Sequence, residues 1–204
     1  MKKPVYIKFT PPELTALQNK DFFYLKRSAT DKIIALFGQI AETIKGLPEH
    51  QAFLFPEGTD ATSGKISRGE NYRQLPYIVL DLPRLFSPLS IFAFRVMYLW
   101  GHEFSFSLLL SGEALQTYLP QISAKFDDLQ EQHLFVCMGD TLWQHEFTHE
   151  NYVAMFQISK SAFLEQIGTH GFCKLSVPLS VGSWEIADLQ AIQTYQLFLE
   201  LMSK

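Results

Sequence analysis

The stretch from Tyr77 to Leu110 constrains the fold most, because it holds three successive segments with the composition of β-strands. Residues 77–82, 91–100 and 104–110 are rich in aromatic and branched side chains, which favour strands. Gly101 lies between the last two segments, where a hairpin turn would join them. The centre of the chain is therefore predicted to be an antiparallel meander.

Helical patterns flank this region on both sides. Thr10, the prolines after it and Glu13 form a capping box, which predicts the start of a helix. Apolar residues then recur at helical spacing from Thr30 to Gly46, and again between 184 and 202. We expect one α+β domain spanning residues 1–204, with helices from both termini packed on the antiparallel sheet. Two small lobes that meet near residues 57–71 are the alternative.

The other segments carry weaker patterns. Residues 57–71 contain three glycines and few apolar residues, which predicts a surface loop. Residues 112–132 are expected to be helical or irregular, and a short helix is expected from the Ser159 cap to Gly168. The remaining predicted elements are strands at 134–138, 141–149 and 152–158 and an edge strand at 174–181.

Composition and charge exclude several classes of protein. With 47% hydrophobic residues and 18 phenylalanines, the chain is typical of a globular protein. Its 17 basic and 21 acidic residues are scattered, and this pattern argues against binding to nucleic acid. No apolar signal follows Met1, and charges interrupt the apolar region 86–110, so neither secretion nor membrane insertion is expected. We expect a cytoplasmic protein in which Cys137 and Cys173 are buried thiols.

One catalytic motif is present, because residues 145–149 read His-Glu-Phe-Thr-His. In a helix, His145 and His149 would lie one turn apart and could bind zinc, with Glu146 as general base. Glu165 is then the candidate third ligand. A zinc-dependent hydrolase is therefore the alternative function for this chain.

The flanking residues favour a strand for the same segment. Turn signals at 139–140 and 150–151 are spaced like the ends of a hairpin arm, and the pattern between them alternates. In a strand the imidazoles of His145 and His149 would lie roughly 13 Å apart, too far to share one ion. The sequence therefore predicts no cofactor, with zinc as the alternative.

Charged residues within strand-like segments mark a second candidate site. Asp81 and Arg95 interrupt apolar runs, and a charge in such a place must be paired or must face a cavity. We expect these two to form a bidentate ion pair across neighbouring strands. A further prediction is a pocket for an anionic group, formed by four arginines and oriented by two neighbouring side chains: Arg68, Arg73, Arg84, Arg95, Glu70 and Tyr72.

Several short motifs in this region carry a resemblance to other proteins. Residues 69–72 (Gly-Glu-Asn-Tyr), 75–77 (Leu-Pro-Tyr) and 92–95 (Phe-Ala-Phe-Arg), with Asp81 and Arg84, resemble a group of uncharacterised bacterial proteins over about residues 53–112. The resemblance implies a shared fold and no particular activity. The leading hypothesis is a non-catalytic protein that binds a small ligand, or a protein partner, near these arginines.

Overall fold

The computed structural model describes residues 7–203, and its centre is one seven-stranded sheet. The strands are β1 (Lys65–Tyr72), β2 (Leu75–Phe86), β3 (Ser90–Leu99), β4 (Glu103–Ser111), β5 (Phe135–Cys137), β6 (Tyr152–Ala154) and β7 (Phe172–Ser180). They lie in the order β1-β2-β3-β4-β7-β5-β6, and all neighbours are antiparallel. The predicted α+β class and the central meander are confirmed.

Helices cover one face of this sheet. They are α1 (Pro11–Gln18), α2 (Lys20–Gly46), α3 (Pro48–Ala52), α4 (Gly112–Ala124), α5 (Phe126–Glu131), α6 (Lys160–His170) and α7 (Ala187–Met202). The main apolar core lies between the sheet and these helices, where Phe94 of β3 contacts Tyr195 and Phe198 of α7. No helix in residues 7–203 is long and apolar enough to cross a membrane.

The helix boundaries confirm two predicted caps and correct two other limits. Thr10 and Glu13 form both hydrogen bonds of the capping box, and the Ser159 hydroxyl accepts from the backbone of α6. The second helix begins at Lys20 rather than near Thr30, because the Asn19 side chain caps it there. Helix α6 runs past Gly168 and ends at Gly171, whose φ of 70° suits the left-handed end of a helix.

Three predicted strand or loop assignments are wrong in part. The loop predicted at 57–71 contains β1, whose polar side chains suit a strand with one exposed edge. Strand β7 lies inside the sheet between β4 and β5, although 174–181 was predicted to be an edge strand. Of the strand predicted at 152–158, only β6 pairs, and a turn of 3-10 helix follows it at 155–157.

The other face of the sheet, which we call the free face, carries a row of polar residues. Side chains alternate between the faces of a strand, so one set of directly opposed residues shares this face across five strands. From β1 to β7 the row is Lys65, Asp81, Arg95, Ser107 and Ser176. The irregular segment 138–151 lies over part of this face and packs Leu142 against Ala93 and Leu109.

Gly112 is required at the junction of β4 and α4. Its φ is +59°, and a Cβ atom there would lie 1.9 Å from the carbonyl oxygen of Leu89. Gly171 has a similar φ, +70°, but no atom within 4 Å of such a Cβ. An alanine at Gly171 therefore tests the cost of a left-handed backbone alone, whereas an alanine at Gly112 adds the cost of the steric clash.

We predict that Gly171→Ala lowers the free energy of unfolding by about 1 kcal/mol, the usual cost of a left-handed L-residue. Gly112→Ala should lower it by about 3 kcal/mol or more, because backbone must also move. Urea denaturation of both variants measures these losses. Equal losses would show that the backbone at Leu89 moves away from the new Cβ atom without a loss of stability.

Candidate functional site

An open cleft of about 770 Å³ lies on the free face. Its floor is formed by β2 and β3, one side by β1, and the opposite side by segment 138–151, which we call the covering loop. The lining residues used below are Lys65, Tyr72, Tyr77, Asp81, Arg84, Phe86, Arg95, Trp143 and His145. Four of the seven residues predicted around the arginine pocket lie in this cleft: Tyr72, Asp81, Arg84 and Arg95.

Lys174 fixes the covering loop to the sheet. This lysine is only 1% exposed, and its Nζ donates to the carbonyl oxygens of Leu142 (3.2 Å) and Gln144. Nζ also lies 3.1 Å from Nδ1 of His145. An ammonium group has three protons, so these three acceptors satisfy it completely.

Burial makes this ammonium costly in free energy. It lowers the pKa of Lys174 to about 7, well below the ordinary value for a lysine. The nearby positive charge of Arg95 lowers the pKa further, although a negative Cys137 would act in the opposite direction. The anchor of the covering loop therefore gains or loses its proton close to neutral pH.

His145 faces the cleft beside this lysine and makes two further contacts, both with Tyr72. Its backbone N–H donates to the Tyr72 hydroxyl at 2.8 Å, and its ring meets the edge of the Tyr72 ring. Burial lowers the pKa of His145 well below its ordinary value, and the positive charges of Lys174 and Arg95 lower it further. The imidazole is therefore neutral at physiological pH.

The covering loop is irregular, so the strand predicted at 141–149 is wrong. Side chains form the hydrogen bonds to the loop backbone that a neighbouring strand would form in a sheet. The carbonyl of Gln144 accepts from Lys174 and from the Tyr152 hydroxyl, and that of Glu146 accepts from the Asn151 amide. Helical geometry is equally absent between 141 and 149.

The zinc motif does not form a converging set of ligands in this loop. Nδ1 of His145 faces Lys174, the Glu146 carboxylate binds Arg73, and His149 and Glu165 are exposed on separate elements. Within residues 7–203, no three histidine, cysteine or acidic side chains lie close enough together to hold a metal ion. The donor geometry therefore does not fit the zinc alternative.

Asp81 and Arg95 form the predicted bidentate pair at the centre of the floor. Nε of Arg95 lies 2.7 Å from Oδ1 of Asp81, and Nη2 lies 2.9 Å from Oδ2. The guanidinium carbon is 5.8 Å from the centre of the Phe86 ring and 5.3 Å from that of Trp143. The pair is thus largely buried, with 11% of the Arg95 side chain and 8% of the Asp81 side chain exposed, and the guanidinium lies beside both rings.

A second arginine pair lies at the end of the cleft. Arg84 donates to Asp60 through Nε (3.2 Å) and Nη2 (3.0 Å). Hydrogen bonds from the Ser63 hydroxyl and backbone, more than Arg84 itself, hold the pKa of Asp60 far below its ordinary value. Arg84 shares the free face with Asp81, three positions earlier, because the pairing of β2 with β3 is irregular between them.

The other predicted site residues lie elsewhere, so the single pocket of four arginines is wrong. Arg68 and Glu70 face the opposite side of β1, where Glu70 binds Lys26 of α2 at 2.8 Å. Arg73 lies in the β1–β2 turn with a φ of 49° and binds Glu146 of the covering loop. Alternation along β1 explains this separation, because odd-numbered Lys65 and Ser67 take the free face.

Sequence reasoning did not single out four residues of the cleft lining, Lys65, Tyr77, Phe86 and Trp143, or the buried Lys174 that anchors the covering loop. Lys174 carried a usable signal, since it interrupts the apolar run from Phe172 to Leu175 just as Arg95 interrupts β3. Lys65 looked like part of a polar loop, and Trp143 lies in a segment whose course depends on contacts distant in sequence. No local pattern marks either of them.

We predict that coupling between Asp81 and Arg95 is strong. Each single alanine variant leaves a buried charge unpaired, which costs about 3–5 kcal/mol of unfolding free energy. The double variant should lose at least about 1.5 kcal/mol less than the sum of the two. A parallel cycle on Asp60 and Arg84, whose side chains are 25% and 30% exposed, should show weaker coupling. Additive losses at Asp81 and Arg95 would contradict the prediction.

Lys174 should make stability depend on pH. Its pKa is about 7 in the folded protein and about 10.4 in an unfolded chain, so the unfolded chain binds the proton more tightly. The free energy of unfolding should therefore rise from pH 7 to pH 9, by up to about 1.4 kcal/mol per pH unit. Lys174→Met should lose this contribution.

The control is Lys160→Met, which removes an exposed lysine at the start of α6 and should keep the full slope. Denaturation of all three proteins across this pH range is the measurement. The tyrosines and Cys173 are common to all three proteins, whereas the pKa of Cys137 depends on the charge of Lys174, so any change in its titration is part of the effect of the lysine. Equal slopes for the wild type and Lys174→Met would contradict the prediction.

A comparison with protein-family models, with curated proteins and with solved structures finds no match to this chain.

Proposed function

We propose that this protein binds a small ligand in the cleft on the free face, and that the ligand joins a planar apolar part to an anionic group. The role is that of a non-catalytic binding protein, and we place it in the cytoplasm, as the sequence predicts. The main observation behind the proposal is that Arg95 is paired with Asp81 and lies beside the neighbouring rings of Phe86 and Trp143.

Arg95 offers a fixed donor for the anionic group. Asp81 binds Nε and Nη2, whereas Nη1 donates to no acceptor within residues 7–203. Because Asp81 already binds one edge of the guanidinium, its orientation is fixed before a ligand binds. Binding therefore costs little additional side-chain entropy. Carboxylate and phosphate oxygens are the acceptors that fit such an edge best.

The charges of the lining favour an anion over a cation. Lys65, Arg84 and Arg95 contribute three positive charges, and Asp81 contributes the one negative charge among the lining residues. The burial of His145 keeps its imidazole neutral, so it adds no further charge. An anion therefore enters a cleft with an excess of positive charge.

Aromatic side chains make the cleft suitable for a planar group. Phe86 and Trp143 lie 6.1 Å apart between ring centres, next to Arg95, and both are more than 40% exposed. Tyr72 and Tyr77 line the other end. Exposed rings beside a cavity bury their apolar surface when a flat ligand stacks on them.

The experiment titrates the protein with 2-naphthoate and with 2-naphthamide, two probes that share a ring system and differ in charge. We expect 2-naphthoate to shift the backbone NMR signals of β2, β3 and the covering loop and to bind at least tenfold more tightly than the amide. The double variant Asp81→Asn/Arg95→Met, which removes both charges without leaving one unpaired, should lose most of this preference and keep only the weaker attraction of Lys65 and Arg84.

Arg68→Met is the matched control, because Arg68 lies on the opposite side of β1 and does not line the cleft. It should leave the preference for 2-naphthoate unchanged. Binding of neither probe at millimolar concentration, or an undiminished preference for 2-naphthoate in the double variant, would contradict the proposed function.

A further inference from the structure

The start of α2 and the whole of α1 expose an unusual amount of apolar surface. We call residues 7–28 the N-terminal arm. Helix α1 has no buried residue, and the first buried residue of α2 is Phe37. Large apolar side chains on the arm are between 44% and 78% exposed: Ile7, Phe9, Leu14, Leu17, Phe22, Phe23, Tyr24 and Leu25.

This exposure approaches the size of one side of a protein interface. Phe23 and Tyr24 lie on other sides of α2, and at roughly 170 Å² for a large side chain the exposed fractions of the other six amount to on the order of 600 Å². A monomeric protein rarely exposes a patch larger than about 300–600 Å², and a stable interface buries about 800 Å² on each partner. The arm therefore provides most of the area that one side of a dimer interface needs.

One stripe on α2 is symmetric in spacing. Phe22, Leu25, Ala29, Ile33 and Leu36 follow one another at intervals of three, four, four and three residues, so the stripe reads the same in both directions from Ala29. Such spacing keeps all five on one side of a helix. In an antiparallel pair centred on Ala29, the two stripes match without gaps.

The order of side-chain sizes suits the same pairing. In this pairing Phe22 of one copy would face the part of Leu36 that lines the groove of the other, Leu25 would face Ile33 in the same groove, and the two Ala29 residues would meet at the centre. A small residue at the crossing point lets the helix axes approach at the short end of the usual range of 8–10 Å. An interface that uses one patch on both copies has two-fold symmetry.

The body of the protein supplies a groove where the arm of a second copy would lie. This groove, of about 400 Å³, is formed by Ile33 and Leu36 of α2 together with Trp100 and Trp184. Trp184, which forms one wall of this groove, is 56% exposed. A concave apolar groove next to the stripe fits another helix better than it fits a flat surface such as a bilayer.

Charge is complementary between the arm and the rest of the chain. The arm, residues 7–28, holds four basic and two acidic residues, whereas the chain beyond residue 28 holds 11 basic and 19 acidic residues. Glu185 and Asp188, both exposed, lie close in sequence to Trp184 at the groove. An arm that crosses onto a second copy thus brings positive charge to a negatively charged body.

We propose that two copies of this chain pair antiparallel along α2, about a two-fold axis at Ala29, with the N-terminal arm of each copy in the apolar groove of the other.

Analytical ultracentrifugation of the full chain at tens of micromolar tests the pairing. The wild type should sediment at twice the 23.4 kDa mass of one chain. Leu25→Glu should weaken the dimer at least a hundredfold, because it places a charge inside the stripe. Tyr24→Glu is the matched control: Tyr24 is also 70% exposed but lies on another side of the helix, and its variant should stay dimeric.

A cysteine in place of Ala29 tests the pairing by cross-linking, without weakening the dimer. The natural cysteines are free and buried, so oxidation should link Ala29→Cys into a covalent dimer through the new thiol alone. Ser28→Cys, one position further round the helix, should link far less.

Three results would overturn the proposal. These are a monomeric wild type, equal cross-linking at positions 28 and 29, and a monomer that binds vesicles of phosphatidylserine through Leu25. The last result would assign the arm to a lipid surface.

Discussion

The buried ammonium of Lys174 is the interaction on which the shape of the free face depends. Helices cover most of one face of the sheet, whereas the covering loop lies against only part of the other face, at β3, β4 and β7. That loop has no ladder of backbone hydrogen bonds, and Lys174 supplies donors to its carbonyls at Leu142 and Gln144. Without this lysine, the Leu142 carbonyl would lose its donor next to an apolar surface, and the Gln144 carbonyl would keep only the Tyr152 hydroxyl.

The same anchor determines the chemistry of the cleft. By holding the loop, Lys174 places His145 and Trp143 beside the Asp81–Arg95 pair, and its charge helps to keep His145 neutral. The cleft therefore combines a fixed guanidinium edge, exposed rings and an excess of positive charge. These features support the proposed binding of a planar anion, and the side chains of His145 and Glu146 contact Lys174 and Arg73, respectively.

Much of the fold could be predicted from the sequence, since its elements carry local signals. The strands of the meander, the Thr10 and Ser159 caps and the terminal helix each depend on residues close together in the chain. The Asp81–Arg95 contact was also predictable, because charges in apolar strands need partners. The course of the covering loop was not, because Lys174 is about 30 residues away in sequence from the carbonyls that it binds. The strand predicted there failed for this reason, and the pocket of four arginines failed because alternation along β1 sends Arg68 to the other side.

A structure of the protein crystallised with 2-naphthoate would show whether the free-face cleft receives an anion at Arg95. We expect a carboxylate oxygen within hydrogen-bonding distance of Nη1 of Arg95, with the ring system against Phe86 and Trp143 and the Asp81 contact intact. A ligand found instead on the N-terminal arm or in the groove at Trp184, with the cleft filled only by solvent, would contradict this expectation.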